Sequence, residues 1–425
     1  MDKIAIISTR LGGIDGVSIE ADKWAETFLS LGLLPIYIAG DFVKTNNIKK
    51  YYLIEEMDFY HPEISKIKNY AFNLEKFKDS CGSFNLIDRI EVIKNAIKKK
   101  FNQILAEENI KYFSIENALS IPLNIPLGIA LNDIISEYGI KTITRHHDFY
   151  WERDEFLNNN ISAILEKYFP PDINLIKHVV INSQAKESLF KRKKIKAEYI
   201  PNIFNFKILD NPKYDYASSI KKVRDLLGID RRDFLFLQPT RIIGRKNIER
   251  SIYLVEKLSK KINRKIFLFI SGSPEKQEMD YFNKIIEIAT KKNINLILSN
   301  NYKFGNKIIR VKKFFKNFDI YELYNACDLV TLPSDIEGFG NPVIEAAAFK
   351  KPLFVNNYPV LKDIIEKGFK FIVIDKVVNE DCVKKVLKLL LDKKYREKIT
   401  NINYEIAKKF YSFEFLVKKL KAFLN

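Results

Sequence analysis

The residues best placed to do chemistry lie in Ser334-Asp-Ile-Glu-Gly-Phe-Gly-Asn-Pro-Val-Ile-Glu-Ala-Ala-Ala348. Two carboxylates, Glu337 and Glu345, stand eight residues apart across a glycine turn. Gly338 and Gly340 let a backbone approach a ligand closely. Asn341 followed by Pro342 reads as the N-cap and first residue of a helix. The unbonded N–H groups of such a helix start suit a phosphate or the hydroxyls of a sugar, and the two acids suit two parts of one ligand. A second loop, Gln238-Pro-Thr-Arg-Ile-Ile-Gly-Arg-Lys-Asn247, sets Arg241 and Lys246 five residues apart before a helix opened by Asn247. A planar guanidinium fork and a point charge together can neutralise a diphosphate without a metal. Arg245 reads as part of a basic turn.

The first half carries two further loops. Gly12-Gly-Ile-Asp-Gly-Val-Ser18 is spaced G-G-x-x-G, which suits close approach to a phosphate but is not the dinucleotide fingerprint. Arg145-His-His-Asp-Phe-Tyr-Trp-Glu-Arg153 gathers His146, His147, Asp148 and three aromatics. Exposed Trp151 and Tyr150 rings would offer flat faces to a sugar, and Arg145 or Arg153 could meet an anionic acceptor. Glu116 and Asn117 add polar contacts on the same side. His178 reads as structural. No third ligand stands at a spacing that would make a metal site of His146 and His147, and no cofactor is called for.

These loops need a frame, and the chain supplies one. Short apolar runs alternate with helical patterns, the rhythm of a parallel α/β sheet. Strands are expected at 3–8, 34–39, 111–115, 141–144 and 178–182, then at 234–237, 265–270, 294–298, 328–332, 352–355 and 371–374. Val17, Ala21, Trp24, Ala25 and Phe28 fall on one helical face, and Gly32 stands where that helix should end. Ile200-Pro-Asn-Ile-Phe-Asn205 and the polar stretch after it read as a hinge. The expectation is two doubly wound domains, 1–205 and 206–410, with their ligand loops at the carboxyl ends of the strands, facing each other across a cleft. The Lys-rich region near 51–103 is expected to elaborate the first domain.

Composition agrees with a length of 425 residues, enough for two domains. Three scattered cysteines, Cys81, Cys327 and Cys382, offer neither a disulfide framework nor a CxxC site, which points to a reducing compartment. No apolar run reaches the ~18–20 residues of a membrane span, and residues 3–7 are too short for a signal sequence. A cytoplasmic enzyme is expected. The net charge of +18 favours anionic partners, although Lys here accompanies many Ile and Asn residues and the bias is also explained as compositional.

Together the loops resemble the retaining glycosyltransferases of family 4, of GT-B fold. Glu337-Gly-Phe-Gly-Asn-Pro-Val-Ile-Glu345 is similar to the family's E-x7-E pattern, Arg241 with Lys246 to its donor-diphosphate pair, and Gly12-Gly13 to its N-terminal glycine loop. Ile200-Pro-Asn202 resembles its interdomain linker, and Phe318-Asp-Ile-Tyr-Glu-Leu-Tyr-Asn-Ala-Cys-Asp328 its approach to the E-x7-E strand. The resemblance implies a nucleotide-diphosphate-sugar donor whose ribose Glu345 grips and whose sugar Glu337 holds with the amides of Phe339, Gly340 and Asn341. Arg241 and Lys246 would stabilise the leaving diphosphate, and Gly13 would let backbone close on it. His147 fits the family's cleft histidine, with His146 as the rival. The C-terminal helix, about 411–425, would return to the first domain. Retention is expected by front-face displacement, without a metal. Asn341, where leucine is frequent, and the double histidine depart from the pattern. Glu116-Asn117 and the His-His-Asp-Phe-Tyr-Trp stretch are similar to a subset near the sucrose-phosphate and mannosylglucosylglycerate synthases. That implies a small polar or anionic acceptor, sugar or glycerate-like. Base selection falls to loops around Ser271-Gly272-Ser273 and 300–306, which leave UDP, GDP and ADP open.

A competing reading is a non-catalytic binder held by its charge to nucleic acid or an anionic membrane through residues 191–194 and 98–100. No nucleic-acid module accompanies these tracts, so no specific nucleic acid is expected, and peripheral membrane contact is compatible with the enzyme. A nicotinamide dehydrogenase, suggested by Asp41 after the second strand, leaves the second half unexplained.

Overall fold

The computed structural model describes residues 1–13, 15–43, 50–72, 85–299, 309–310 and 319–424. Cys81, residues 300–306 and Phe318 of the expected motifs lie outside them. The chain divides into two compact units, Met1–Asn202 with Leu416–Asn425, and Ile203–Phe415.

The first unit holds a seven-stranded sheet: β1 (Asp2–Leu11), β2 (Leu33–Phe42), β3 (Tyr51–Leu53), β4 (Ile110–Glu116), β5 (Lys141–His146), β6 (Ile176–Val180) and β7 (Ala197–Tyr199). Its order is β3-β2-β1-β4-β5-β6-β7 and every pairing is parallel. Helix Gly16–Ser30 buries Ala21, Trp24, Ala25 and Phe28, as its period predicts. Asp15 caps it through Val17 and Ser18, and Gly32 follows its end at φ +85°.

The Lys-rich region is not an elaboration. Its described helices, Pro62–Phe72 and Leu86–Glu108, put Ile64, Ile67, Ile90, Ile97 and Phe101 into the core beside Phe113 of β4. The lysines lie on the solvent side of an amphipathic crossover.

The second unit repeats the plan with β8 (Phe234–Gln238), β9 (Ile266–Ile270), β10 (Asn295–Leu298), β11 (Ile309–Arg310), β12 (Leu329–Leu332), β13 (Leu353–Asn356) and β14 (Ile372–Ile374). The order is β11-β10-β9-β8-β12-β13-β14, again parallel. All residues of β8 and β9 are buried, as strands covered on both faces must be. Both sheets are Rossmann-like. Each reverses its winding once, between β1 and β4 and between β8 and β12, and ligands of open α/β sheets bind at such switch points. No helix among the described residues is long and apolar enough to cross a membrane.

Candidate functional site

In the second unit, the two motifs singled out follow the two strands that flank the switch point, and they are stitched together. Lys246 Nζ lies 2.5 Å from Glu337 Oε1, and both side chains are nearly enclosed. Burial lowers the Lys246 pKa despite the opposing pull of Glu337. Arg245 donates to the Ile336 carbonyl at 2.7 Å, and the Asp335 N–H returns a bond to the Arg245 carbonyl at 3.0 Å. Arg245 is therefore a staple between the loops, not merely a basic turn. Arg241 is exposed and pairs with Glu275. Gly272 is glycine for a local reason: a Cβ there would meet the Thr240 carbonyl oxygen at 2.5 Å and Arg241 Cα at 2.6 Å. It lets the loops after β8 and β9 touch, and Ser271 N–H bonds the Gln238 carbonyl across the same seam.

Asn341 is not the cap expected of it. Helix Asn341–Ala348 begins with Asn341 itself, and the N-cap is Gly340 at φ 97° and ψ 58°. Glycine wins the position because that left-handed geometry disfavours a side chain, and because Tyr358 stands 2.2 Å from where a Cβ would be. Phe339 is buried beside Tyr411. Glu345, one turn into the helix, accepts from the Tyr324 hydroxyl at 2.6 Å.

In the first unit, Gly12 takes φ +78°, and a Cβ would stand 2.0 Å from the Val43 carbonyl oxygen. It holds the end of β1 against the end of β2. Gly13 follows, half-buried, beside the capping carboxylate of Asp15.

The Arg145–Arg153 segment corrects several expectations. Arg145 is 1% exposed. Its Nε donates to Glu116 at 2.9 Å, its Nη1 lies 3.8 Å from Glu20, and its guanidinium covers the Trp24 ring. It answers buried acids and presents nothing to an acceptor. His146, fully buried, bonds ring to ring with His178 at 2.9 Å, which removes it as the rival of His147. Burial, then the neighbouring imidazoles, hold His146 well below the usual histidine range. Trp151 stacks on Phe149, lies under the Arg192 guanidinium at 5.1 Å, and donates its indole N–H to Ser188. Tyr150 is buried. The aromatics wedge the segment in place, and Phe149 and Tyr150 are too buried to offer a sugar a platform.

What remains half-exposed is a tight polar set. The carboxylate of Glu116, itself enclosed, lies 3.2 Å from His147 Nε2. Burial alone would raise the Glu116 carboxyl, but the Arg145 charge and the His147 contact outweigh it and hold it below the ordinary range. Asn117, at φ 58°, accepts from the His147 backbone N–H at 2.8 Å and donates to Asp148 at 3.2 Å. Arg153 donates to the other Asp148 oxygen at 2.6 Å. Among the described residues, no group of three His, Cys, Asp or Glu side chains could hold a metal.

Known proteins resemble this chain. Residues 219–406 match the family model described as glycosyl transferases group 1. The mannosylglucosylglycerate synthase of Petrotoga mobilis is 32% identical over 390 residues, covering 87% of this chain and 86% of that protein. The synthase of the same name from Thermotoga maritima is 30% identical, covering 97% of both. A solved glycosyltransferase of Rickettsia africae superposes with a TM-score of 0.66 at 17% identity, over 99% of this chain and 97% of that one. The chain belongs to the glycosyl transferases group 1 family.

Its fold is that of the GT-B glycosyltransferases. In this glycosyltransferase the parts that sequence reasoning missed lie behind the motif residues. Tyr324 holds Glu345, and the Tyr358 hydroxyl donates to the Phe339 carbonyl at 3.0 Å. Gln238 donates to the Lys246 carbonyl at 3.1 Å, and its own oxygen accepts from Ser251, whose hydroxyl oxygen accepts in turn from Thr331 of β12. Buried tyrosines read as core from sequence alone. Only the tendency of a buried hydroxyl to find a partner could have marked them.

Proposed function

We propose that this glycosyltransferase moves a hexose from a nucleotide-diphosphate sugar to a hydroxyl of a small anionic acceptor of glycerate type, with retention and without a metal. The observation that carries the reading is the Lys246–Glu337 pair at 2.5 Å, set beside a helix N-terminus at the switch point of the second sheet. Lys246 and Arg241 answer the charge of the leaving diphosphate, the electrostatic task that such sites perform. Glu337 and the loop amides of Phe339, Gly340 and Asn341 hold the sugar, and Glu345 takes the ribose. The anomeric carbon–oxygen bond to phosphate breaks while the acceptor oxygen bonds the same face. The acceptor proton goes to the leaving phosphate oxygen, so no side-chain base is required.

The acceptor class is supported by the two relatives that act as mannosylglucosylglycerate synthases over most of their length. Asn117, His147, Asp148 and Arg153 are the polar side chains available to it in the first unit. Several charges of the two tracts behind the charge-driven binding reading are answered within the chain. Lys98 is paired with Asp133 and Glu137, Lys100 with Glu56, and Lys191 with Glu187, while Lys193 bonds the Pro170 carbonyl.

The test is thermal stability with UDP, GDP, ADP and NAD, each without and with magnesium. One nucleoside diphosphate should stabilise the protein without metal, by about 2.7 kcal/mol at a hundredfold excess over its Kd, and should fail to do so in Glu345→Ala. That nucleotide names the donor base. The anomeric configuration of the product, followed by NMR with that donor and glycerate-type acceptors, then tests retention. Stabilisation by NAD alone, or by none of the four, would overturn the reading.

A further inference from the structure

Glu116 is the last residue of β4, and Arg145 sits opposite it in register on β5. Beneath the half-exposed loop these two form a buried charge cluster with Glu20 and Lys23. Arg145 lies between Glu116 and Glu20, and Lys23 pairs with Glu20 at 2.5 Å. Two carboxylates thus face two cations, so the Glu116 charge is answered without any charge on His147. What the imidazole can supply to Glu116 is an N–H.

Glu116 itself is 0% exposed, and its second oxygen, Oε1, is buried as well. An acceptor cannot reach it. His147 can be reached, with 12% of its side chain open. Its ring is held at Nε2 by Glu116, and its backbone N–H is held by Asn117 Oδ1. A carboxylate accepts hydrogen bonds and does not donate them, so the contact at 3.2 Å selects the tautomer protonated on Nε2.

From this geometry we infer that Glu116 is a positioning residue: it takes the Nε2–H of His147 and leaves Nδ1 as the ring's lone-pair nitrogen, an acceptor for a hydroxyl of the sugar or of its acceptor. The Arg145–Glu20–Lys23 cluster keeps the Glu116 carboxylate ionised and fixed for that purpose. Glu116 thereby leaves the set of acceptor contacts in which its sequence placed it. The inference rests on the reading of His147 as a residue of the glycosyl-transfer site.

Two measurements test it. In protein labelled with 15N-histidine, with His147 assigned by the signal lost in His147→Gln, the ring should carry its proton on Nε2 and leave Nδ1 bare. A proton on Nδ1 in the unsubstituted protein would overturn the inference whatever the activity shows. Glu116→Leu, which removes the one oxygen that His147 Nε2 and Arg145 Nε share, should let the proton spread to Nδ1; an unchanged tautomer would count against the contact.

The second measurement is a double-mutant cycle on single-turnover rates. Glu116→Leu should slow the protein at least tenfold, yet slow His147→Gln by less than twofold, because it acts through His147. Equal losses in both backgrounds would assign Glu116 a separate role and overturn the proposal. Glu116→Asp, which keeps the charge beside Arg145, should retain the fold and recover part of the rate. Full turnover in His147→Gln would instead remove His147 from the site, and the tautomer would then decide the Glu116 contact on its own.

Discussion

The Tyr324 hydroxyl donates to the Glu345 carboxylate at 2.6 Å from a ring that is fully buried and stacked on Phe349, centroids 5.3 Å apart. Burial, and then the charge of Glu345, push this phenol well above its usual range, so it stays a donor. That bond fixes the carboxylate proposed to take the ribose. Tyr324→Phe should therefore raise the donor KM about tenfold, since hydrogen bonds to charged groups contribute about 1.5–3 kcal/mol. kcat should move little. Steady-state kinetics decide this, and an unchanged KM would show that Glu345 needs no such support.

The Tyr358 hydroxyl plays a comparable part against the loop. It bonds the Phe339 carbonyl and lies where a Gly340 Cβ would be. Gly340→Ala should suffer twice, from the contact and from a backbone at φ 97° that costs an L-residue about 1–2 kcal/mol. Adding Tyr358→Phe to Gly340→Ala relieves the worst of the first penalty, with the ring Cζ still 3.1 Å from the added Cβ, and leaves the second. The double variant should recover part of the lost melting temperature and of the nucleotide-induced shift. No recovery would mean that the dihedral alone forbids the side chain.

Lys246→Ala should lower kcat by about 10²–10³, the usual effect of removing one charge-stabilising donor. The fold should survive, because Glu337 keeps Arg245 at 3.7 Å as a second cation. Melting within a few degrees of the parent, with turnover lost, is the expected pair of results. Turnover within tenfold of the parent would remove Lys246 from the proposed chemistry.

The sequence disclosed the frame well. Its eleven expected strands are all present as strands, because residues such as Phe234–Leu237 and Ile266–Ile270 are apolar throughout and buried on both faces. The three it missed, Tyr51–Leu53, Ala197–Tyr199 and Ile309–Arg310, are short and sit at sheet edges, where pairing on one side only leaves little apolar signal. The motifs of the second unit were legible because loops between a strand and a helix keep their residues close in sequence. The first unit was harder to read. Arg145 looks like a surface charge until Glu20 and Glu116, distant in sequence, are folded around it. His146 and His147 are indistinguishable as letters, and the end of the strand decides them: the first closes β5 in the core, the second begins the loop.

That buried His146–His178 pair makes stability depend on acidity in a definite direction. Burial brings His178 down to about 4, with a smaller opposing push from a hydrogen bond with Pro171 and a further lowering by Lys193. The unfolded chain, with histidine near 6.5, binds the proton first as pH falls. Stability is therefore full above pH ~6.5, declines between there and pH ~4, and levels off below, a loss of about 3 kcal/mol from His178 alone. His146, held low by the same burial, adds to the loss in the same sense. His178→Gln should show a shallower fall in urea midpoint between pH 7.5 and 4.5 than the parent, even though it starts from a lower value at pH 7.5. Parallel curves for the two proteins would mean that His178 protonates in the folded state as readily as in the unfolded one, and would break the link between the ring pair and acid stability.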